Sequence, residues 1–126
     1  MTRSRLPPTR HSITRRENHT GDLDAYVTVG FHPDGHPMEV FVKIGKEGST
    51  TGGLCNLLGV LISLLLQYGV PWEVIALKLR GTNFPPTNEE GGSVAHTIAL
   101  TVDQIIKEPP CVPSTPPVPP TIPRSP

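Results

Sequence analysis

Hydrophobic and polar residues alternate along the first third of the chain, a pattern typical of half-buried β-strands. Residues 25–32 are mainly β-branched and aromatic, and every second residue from Met38 to Ile44 is apolar. Between these runs, residues 33–37 read Pro-Asp-Gly-His-Pro, which is the composition of a tight turn. The pattern predicts a β-hairpin with one face on the core. Residues 12–17 alternate more loosely and predict one further strand.

The pattern changes after residue 48, where the chain becomes apolar nearly all round until Tyr68. Beyond its first turn, only Asn56, Ser63 and Gln67 interrupt this run, which predicts a long helix ending at Gly69. A helix that is apolar on every face must be covered on every face, so we expect the sheet on one side and later helices on the other. The uninterrupted apolar stretch is shorter than the ~20 residues that span a bilayer, so we expect a core helix and no membrane association.

Two more helices are predicted downstream. One begins at Pro71 and extends to about Arg80, and the other follows the capping residue Ser93 and ends before Pro109. Strands followed by helices predict an α+β domain with a small antiparallel three-stranded sheet, a hairpin plus one strand, packed on about three helices.

Composition divides the chain into three parts. Residues 1–10 form a basic arm that we expect to be flexible, residues 11–107 form the folded domain, and residues 108–126 form a Pro-rich tail that we expect to be disordered. The formal net charge is zero, so overall charge indicates neither nucleic-acid nor membrane binding. The arginines of the N-terminal region could contact phosphate, although a solvated arm is the alternative explanation.

Titratable residues that could support catalysis or metal binding are sparse. Cys55 lies in the apolar helix and Cys111 in the tail, and we expect both to be reduced thiols of a cytoplasmic protein. His32 and His36 flank Asp34 in the turn, but no third ligand follows at a defined spacing, so no metal site is predicted. The acidic residues form no recognisable acid–base pair, so no catalytic residue is predicted either.

The strongest candidate site is the basic, glycine-rich turn that leads into the long helix. Lysines and hydroxyls at a helix N-terminus can bind an anion such as a nucleotide phosphate. The residues concerned are Lys43, Lys46, Gly48, Ser49, Thr50 and Thr51. The alternative is structural: the glycine forms the turn, a hydroxyl caps the helix, and the lysines are solvated. The order of residues does not fit a P-loop, because the lysine precedes the glycines.

Several segments together resemble the TSCPD domain, which lies near the C-terminus of adenosylcobalamin-dependent ribonucleotide reductases and also occurs as short stand-alone proteins. The resemblance extends from about Arg5 to Lys107. The glycine-serine-threonine turn and the Tyr-Gly-Val-Pro junction are its most specific parts. The segments that carry the resemblance are Leu6-Pro7, Arg10–Thr14, Tyr26–Gly30, Glu39–Lys43, Lys46–Thr50 and Gln67–Val74.

The resemblance implies a link to deoxyribonucleotide synthesis but no catalytic residue. The reductases perform their chemistry in a large α/β barrel with radical-forming and redox cysteines, which 126 residues cannot hold. Autonomous catalysis is therefore not expected. We expect no cofactor on this chain, and adenosylcobalamin enters only by family association.

Two functions follow as hypotheses. The first is an accessory domain that contacts a ribonucleotide reductase large chain or binds a nucleotide or other anion. The alternative is a homodimeric interaction module without a small ligand, in which a second copy completes the burial of the apolar helix. Binding of nucleic acid through the arginine arm is a weaker third idea and is not expected.

Overall fold

A computed structural model describes residues 2–44 and 49–108 of the chain. Three strands form one antiparallel sheet in the order β1-β2-β3, and three helices follow. The elements are β1 (Ser12–Thr20), β2 (Leu23–Phe31), β3 (Pro37–Ile44), α1 (Thr50–Gln67), α2 (Trp72–Leu79) and α3 (Val94–Lys107). The predicted α+β class and the predicted order of elements are confirmed. The predicted tail beyond Glu108, together with Lys46 and Gly48, lies outside the described residues.

One face of the sheet carries the core. Val27 pairs with Val42 and Val29 with Val40 across β2 and β3, and these side chains are buried. The opposite face is mostly polar and exposed. On this face Thr14 of β1 pairs with Thr28 of β2, and their hydroxyl oxygens lie 2.7 Å apart. The predicted alternation is therefore correct for the hairpin, because one face is buried and register is fixed by that burial.

The helices share the core face of the sheet. Helix α3 packs against β1 and β2, and α2 packs on α3. Ile98, Val102 and Ile105 of α3 are almost fully buried. Helix α1 packs chiefly on β3, which is an edge strand of the sheet.

Polar side chains of α1 bond the backbone of this edge strand. Ser63 Oγ accepts a hydrogen bond from the N–H of Val40 at 2.9 Å and lies 3.1 Å from the carbonyl oxygen of the same residue. Gln67 Nε2 donates to the carbonyl oxygen of Met38 at 3.2 Å. Two of the three polar residues that interrupt the apolar pattern, Ser63 and Gln67, thus satisfy backbone groups that another strand would otherwise pair, which protects the edge.

Gly59 allows α1 to approach β3 this closely. A Cβ atom at this position would lie 2.8 Å from the carbonyl oxygen of Val40 and 3.4 Å from the backbone nitrogen of Val42. Neither backbone atom can move without displacing the strand, so the position requires a residue without a side chain.

The expectation that α1 would be covered on every face is wrong for the part of the chain that the structure describes. Leu54, Leu57 and Leu61 are 61%, 56% and 58% exposed. The physical reason is geometric: α3 occupies the area over β1 and β2, and α2 packs on α3, so no described element lies over the outer face of α1.

Candidate functional site

The start of α1 is capped by Ser49. Its Oγ accepts a hydrogen bond from the N–H of Gly52 at 2.9 Å, and its carbonyl oxygen accepts from Gly53 at 3.0 Å. Thr50 is exposed and Thr51 is half-buried at the first turn. The structural interpretation of the turn therefore holds for Ser49, whose hydroxyl is engaged as a cap.

Lys43 lies on β3, where it pairs with Tyr26 of β2 on the polar face of the sheet. It is exposed to solvent. Of the six candidate anion-binding residues, the structure describes Lys43, Ser49, Thr50 and Thr51, which lie on either side of the undescribed segment 45–48.

The outer face of α1 is an apolar surface. The stripe consists of Leu54, Leu57, Leu61, Leu65 and Tyr68, which follow one another at intervals of three or four residues and are all exposed. We call this set the leucine stripe. Such spacing places side chains in a row along one face of a helix. Helix α1 contains no Asp, Glu, Lys or Arg, so the row is also uncharged.

One further residue widens the leucine stripe, since Val60 of α1 is also exposed. The stripe and Val60 form one exposed, uncharged, mostly apolar surface. Contiguous exposed apolar surface of this kind is a candidate contact surface.

By length and composition, α1 is the one helix of the described chain that could cross a membrane. Its Ser63 and Gln67 side chains bond the edge strand, however, and its other face contributes Cys55, Ile62 and Leu66 to the core. These contacts make α1 a structural part of the domain.

The turn between β2 and β3 is organised by Asp34. Its Oδ1 accepts a hydrogen bond from the N–H of His36 at 2.9 Å, which holds the pKa of the carboxyl group below its usual range. The same oxygen lies 3.1 Å from Nδ1 of His32 and 3.0 Å from Nδ1 of His36. Within residues 2–44 and 49–108, no group of three potential metal ligands is brought together.

Cys55 is buried in the core face of α1. Burial raises the pKa of its thiol, so the reactive thiolate is disfavoured near neutral pH. This agrees with a packing role. Cys111 lies outside the described residues.

The N-terminal segment contacts the carboxyl end of α1. The N–H of Ser4 donates to the carbonyl oxygen of Gln67 at 2.8 Å, and Nε of Arg3 donates to the Gln67 side chain at 2.6 Å. Arg10 binds Glu39 through two hydrogen bonds, from Nε at 2.7 Å and from Nη2 at 2.6 Å. The hydrogen bond to Glu39 raises the pKa of Arg10.

Two buried polar residues were not identified from the sequence. Glu39 lies on the side of β3 opposite Val40 and Val42, yet it is buried over Gly30, its partner across the strands, where a Cβ atom would collide with the carboxylate. His19 is buried between Thr97 and Pro86. Gly30, which pairs with Glu39, is a sequence signal that could have indicated the buried carboxylate. His19 has no such local signal, because its partners lie 67 and 78 residues away in the sequence.

The fold and these surfaces define a small α+β domain, and comparison with known proteins identifies its family. The family model of the TSCPD domain matches residues 1–107, so the chain belongs to the TSCPD domain family. It is similar to the vitamin B12-dependent ribonucleotide reductase of Rhodopirellula baltica, with 40% identity over 105 residues, 83% of this chain and 10% of the relative. No solved structure matches the chain.

Two other relatives are also vitamin B12-dependent ribonucleotide reductases. The vitamin B12-dependent ribonucleotide reductase of Streptomyces clavuligerus is 33% identical over 83% of this chain and 11% of its own length. That of Agrobacterium fabrum is 32% identical over 84% of this chain and 8% of its own length. The chain thus spans about a tenth of the length of these curated relatives.

The dependence of the relatives on vitamin B12 raises the question of whether this domain could hold a corrinoid. Four clefts formed by the described residues have volumes between about 110 and 590 Å³. Such volumes suit ligands of drug size or smaller, and a corrinoid is several times larger. These clefts do not fit the cofactor, and we assign it no binding residues in them.

Proposed function

We propose that this protein is an accessory domain of deoxyribonucleotide synthesis in the cytoplasm, and that it binds the large chain of a B12-dependent ribonucleotide reductase through the leucine stripe. The observation that carries the proposal is the uncovered outer face of α1 in a domain whose relatives are reductases about ten times longer. Adenosylcobalamin then belongs to the partner.

The relatives supply the reason for choosing this partner. In each of them the matching segment is one part of a single long polypeptide, so the domain has the rest of the reductase as a covalently attached neighbour. A domain attached in this way requires a surface that fits the neighbour. The leucine stripe has the apolar character and the lack of charge that buried interface centres show.

The reduction itself is assigned to the partner. The match covers about a tenth of the relatives, so their activity does not transfer to this segment. In the described residues the one cysteine is buried and its pKa is raised, which is unsuited to thiol redox chemistry.

The test replaces two exposed leucines of the stripe by glutamate, Leu57→Glu and Leu61→Glu. Each glutamate would have to be desolvated in the interface, so we expect the affinity for the purified reductase large chain of the same host to fall at least roughly tenfold. The measurement is biolayer interferometry with immobilised reductase. The matched control is Leu77→Glu, which changes a leucine that is 72% exposed on α2.

The stability of the double variant should stay within about 0.5 kcal/mol of the parent, because both leucines are exposed and leave no cavity. Unchanged affinity in the folded double variant would refute the proposed surface. A parent protein that sediments as a dimer, with the double variant monomeric and neither binding reductase, would instead establish the homodimeric alternative.

We also propose that the turn before α1 binds a nucleotide or another anion, with Lys43 and Lys46 supplying charge. Gly48, Ser49, Thr50 and Thr51 complete the candidate set. The exposed Lys43 and the exposed first turn of α1 support this proposal, because the first N–H groups of a helix attract anions. The engagement of Ser49 as a cap assigns its side chain to the fold and leaves recognition to the lysines and threonines.

Replacing Lys46 by glutamate tests this site, because it exchanges attraction for repulsion at the proposed phosphate position. We expect nucleotide binding, measured by isothermal titration calorimetry, to be lost. Retention of the parent's affinity would eliminate the turn as an anion site.

A further inference from the structure

A polar cleft lies at the carboxyl end of α1, against the N-terminal segment. It has a volume of about 590 Å³ and is lined by Thr2, Arg3, Ser4, Arg5, Leu6, Arg10, Glu39 and Gln67. We call it the arginine cleft. Its wall is fixed by the hydrogen bonds of Ser4 and Arg3 to Gln67, and Gln67 is itself bonded to Met38 of β3.

The arginine cleft carries excess positive charge. Three guanidinium groups and one carboxylate line it, which gives a formal net charge of +2. Both oxygens of Glu39 are engaged by Arg10, at 2.7 and 2.6 Å, so this pair is internally balanced. The uncompensated charge is that of Arg3 and Arg5.

The other arginines of the described chain all have a carboxylate partner. The pairs are Arg10 with Glu39, Arg15 with Glu17 and Glu108, Arg16 with Asp24, and Arg80 with Asp103. Arg3 bonds a neutral amide through Nε, and Arg5 forms no hydrogen bond or ion pair within residues 2–44 and 49–108. The two arginines without a carboxylate are therefore found side by side in one cleft.

We propose that the arginine cleft binds the di- or triphosphate group of an anionic ligand. Guanidinium groups match phosphate oxygens with paired, charge-assisted hydrogen bonds, and those of Arg3 retain both Nη groups for this purpose. A concave wall concentrates the field of the unbalanced charges and raises the local concentration of anions. The volume suits a ligand of nucleotide size.

This site is distinct from the turn that precedes α1. The two lie at opposite ends of a helix of 18 residues, which is about 27 Å long. The proposal does not depend on reductase binding, because no residue that lines the arginine cleft belongs to the leucine stripe.

The test is calorimetric titration of the full chain with inorganic tripolyphosphate and with ATP, at about 50 mM and 200 mM salt. We expect Arg5→Ala to weaken tripolyphosphate binding roughly tenfold, with a larger loss when Arg3→Ala is added. The control is Arg16→Ala, an exposed arginine paired with Asp24. It should leave the affinity within about twofold of the parent, since it lies outside the cleft.

Amide chemical shifts locate the bound anion without any substitution. Tripolyphosphate should shift the amides of Arg5, Leu6 and Gln67; shifts of Thr50 and Thr51 report separately on the turn before α1. Tighter binding of ATP than of tripolyphosphate would identify a nucleotide as the ligand, and equal binding would identify the phosphate chain alone.

Equal losses in Arg5→Ala and Arg16→Ala would overturn the proposal, because they indicate diffuse attraction to a basic surface. Shifts confined to residues 49–51 would overturn it as well. Reductase binding measured without polyphosphate reports separately on the proposed function, so either idea can fail alone.

Discussion

Replacing Gly59 by alanine is expected to destabilise the domain by about 2 kcal/mol, although alanine is the better helix former. The new Cβ would lie 2.8 Å from the carbonyl oxygen of Val40, an atom of the strand backbone. Helix α1 must then move away from β3, which lengthens the hydrogen bonds of Ser63 to Val40. Equilibrium urea denaturation followed by circular dichroism measures the loss.

Gly53→Ala is the matched control in the same helix. A Cβ there meets no atom within 4 Å, and the residue is exposed. At this position only the higher helix propensity of alanine remains, so we expect the domain to be stabilised by about 0.5–1 kcal/mol. If both substitutions changed stability in the same direction, the close packing of α1 on β3 would be contradicted.

The contrast between Gly59 and Gly53 separates what local sequence patterns predict from what tertiary packing decides. A hydroxyl cap within residues 49–51, the end at Gly69 and the alternation along β3 each depend on neighbouring residues, and the structure confirms them, with Ser49 as the cap. Which glycine of α1 contacts the sheet could not be predicted in this way. That depends on the direction in which the helix crosses the strand, which tertiary packing decides.

The apolar character of α1 was predicted correctly, but the prediction that every face of it would be covered was wrong. Hydropathy records how much apolar area a segment carries, and it says nothing about the area that other elements can offer. Ser63 and Gln67 were the informative exceptions, since their side chains mark the face that meets the edge strand. The remaining apolar face is the one that lies uncovered.

The same limit applies to the candidate binding sites. The basic turn was found from a local run of residues, whereas the arginine cleft combines residues of the N-terminal segment, β3 and the last residue of α1. The charges of the N-terminal arginines were visible in the sequence. The fold decides which of these charges are balanced. Four carboxylates later in the chain pair with Arg10, Arg15 and Arg16, and none pairs with Arg3 or Arg5.

His19 joins three parts of the domain that are distant in sequence. Its Nε2 lies 2.7 Å from the carbonyl oxygen of Pro86, and its Nδ1 lies 2.6 Å from Oγ1 of Thr97. Since the carbonyl can only accept, Nε2 carries the proton and Nδ1 accepts from the Thr97 hydroxyl. The ring thereby ties β1 to α3 and to the loop that connects α2 with α3.

Replacing His19 by phenylalanine is expected to lower the free energy of unfolding by about 3 kcal/mol. The ring volume is largely kept, but the Pro86 carbonyl and the Thr97 hydroxyl lose their partner, at a cost of about 1–3 kcal/mol for each buried group. Chemical denaturation measures the total. Hydrogen exchange should show faster opening of residues 82–92, because the loop loses its bond to β1.

Thr97→Val in the His19→Phe background separates the hydrogen bond from packing. It removes the hydroxyl that the first substitution leaves unsatisfied, so the second change should cost less in this background than in the parent, with a coupling of about 1 kcal/mol. Strictly additive effects, or a His19→Phe variant that matches the parent both in stability and in the exchange of residues 82–92, would show that the buried histidine does not hold the loop. A loss confined to the exchange of residues 82–92, with unchanged global stability, would restrict the role of His19 to loop closure.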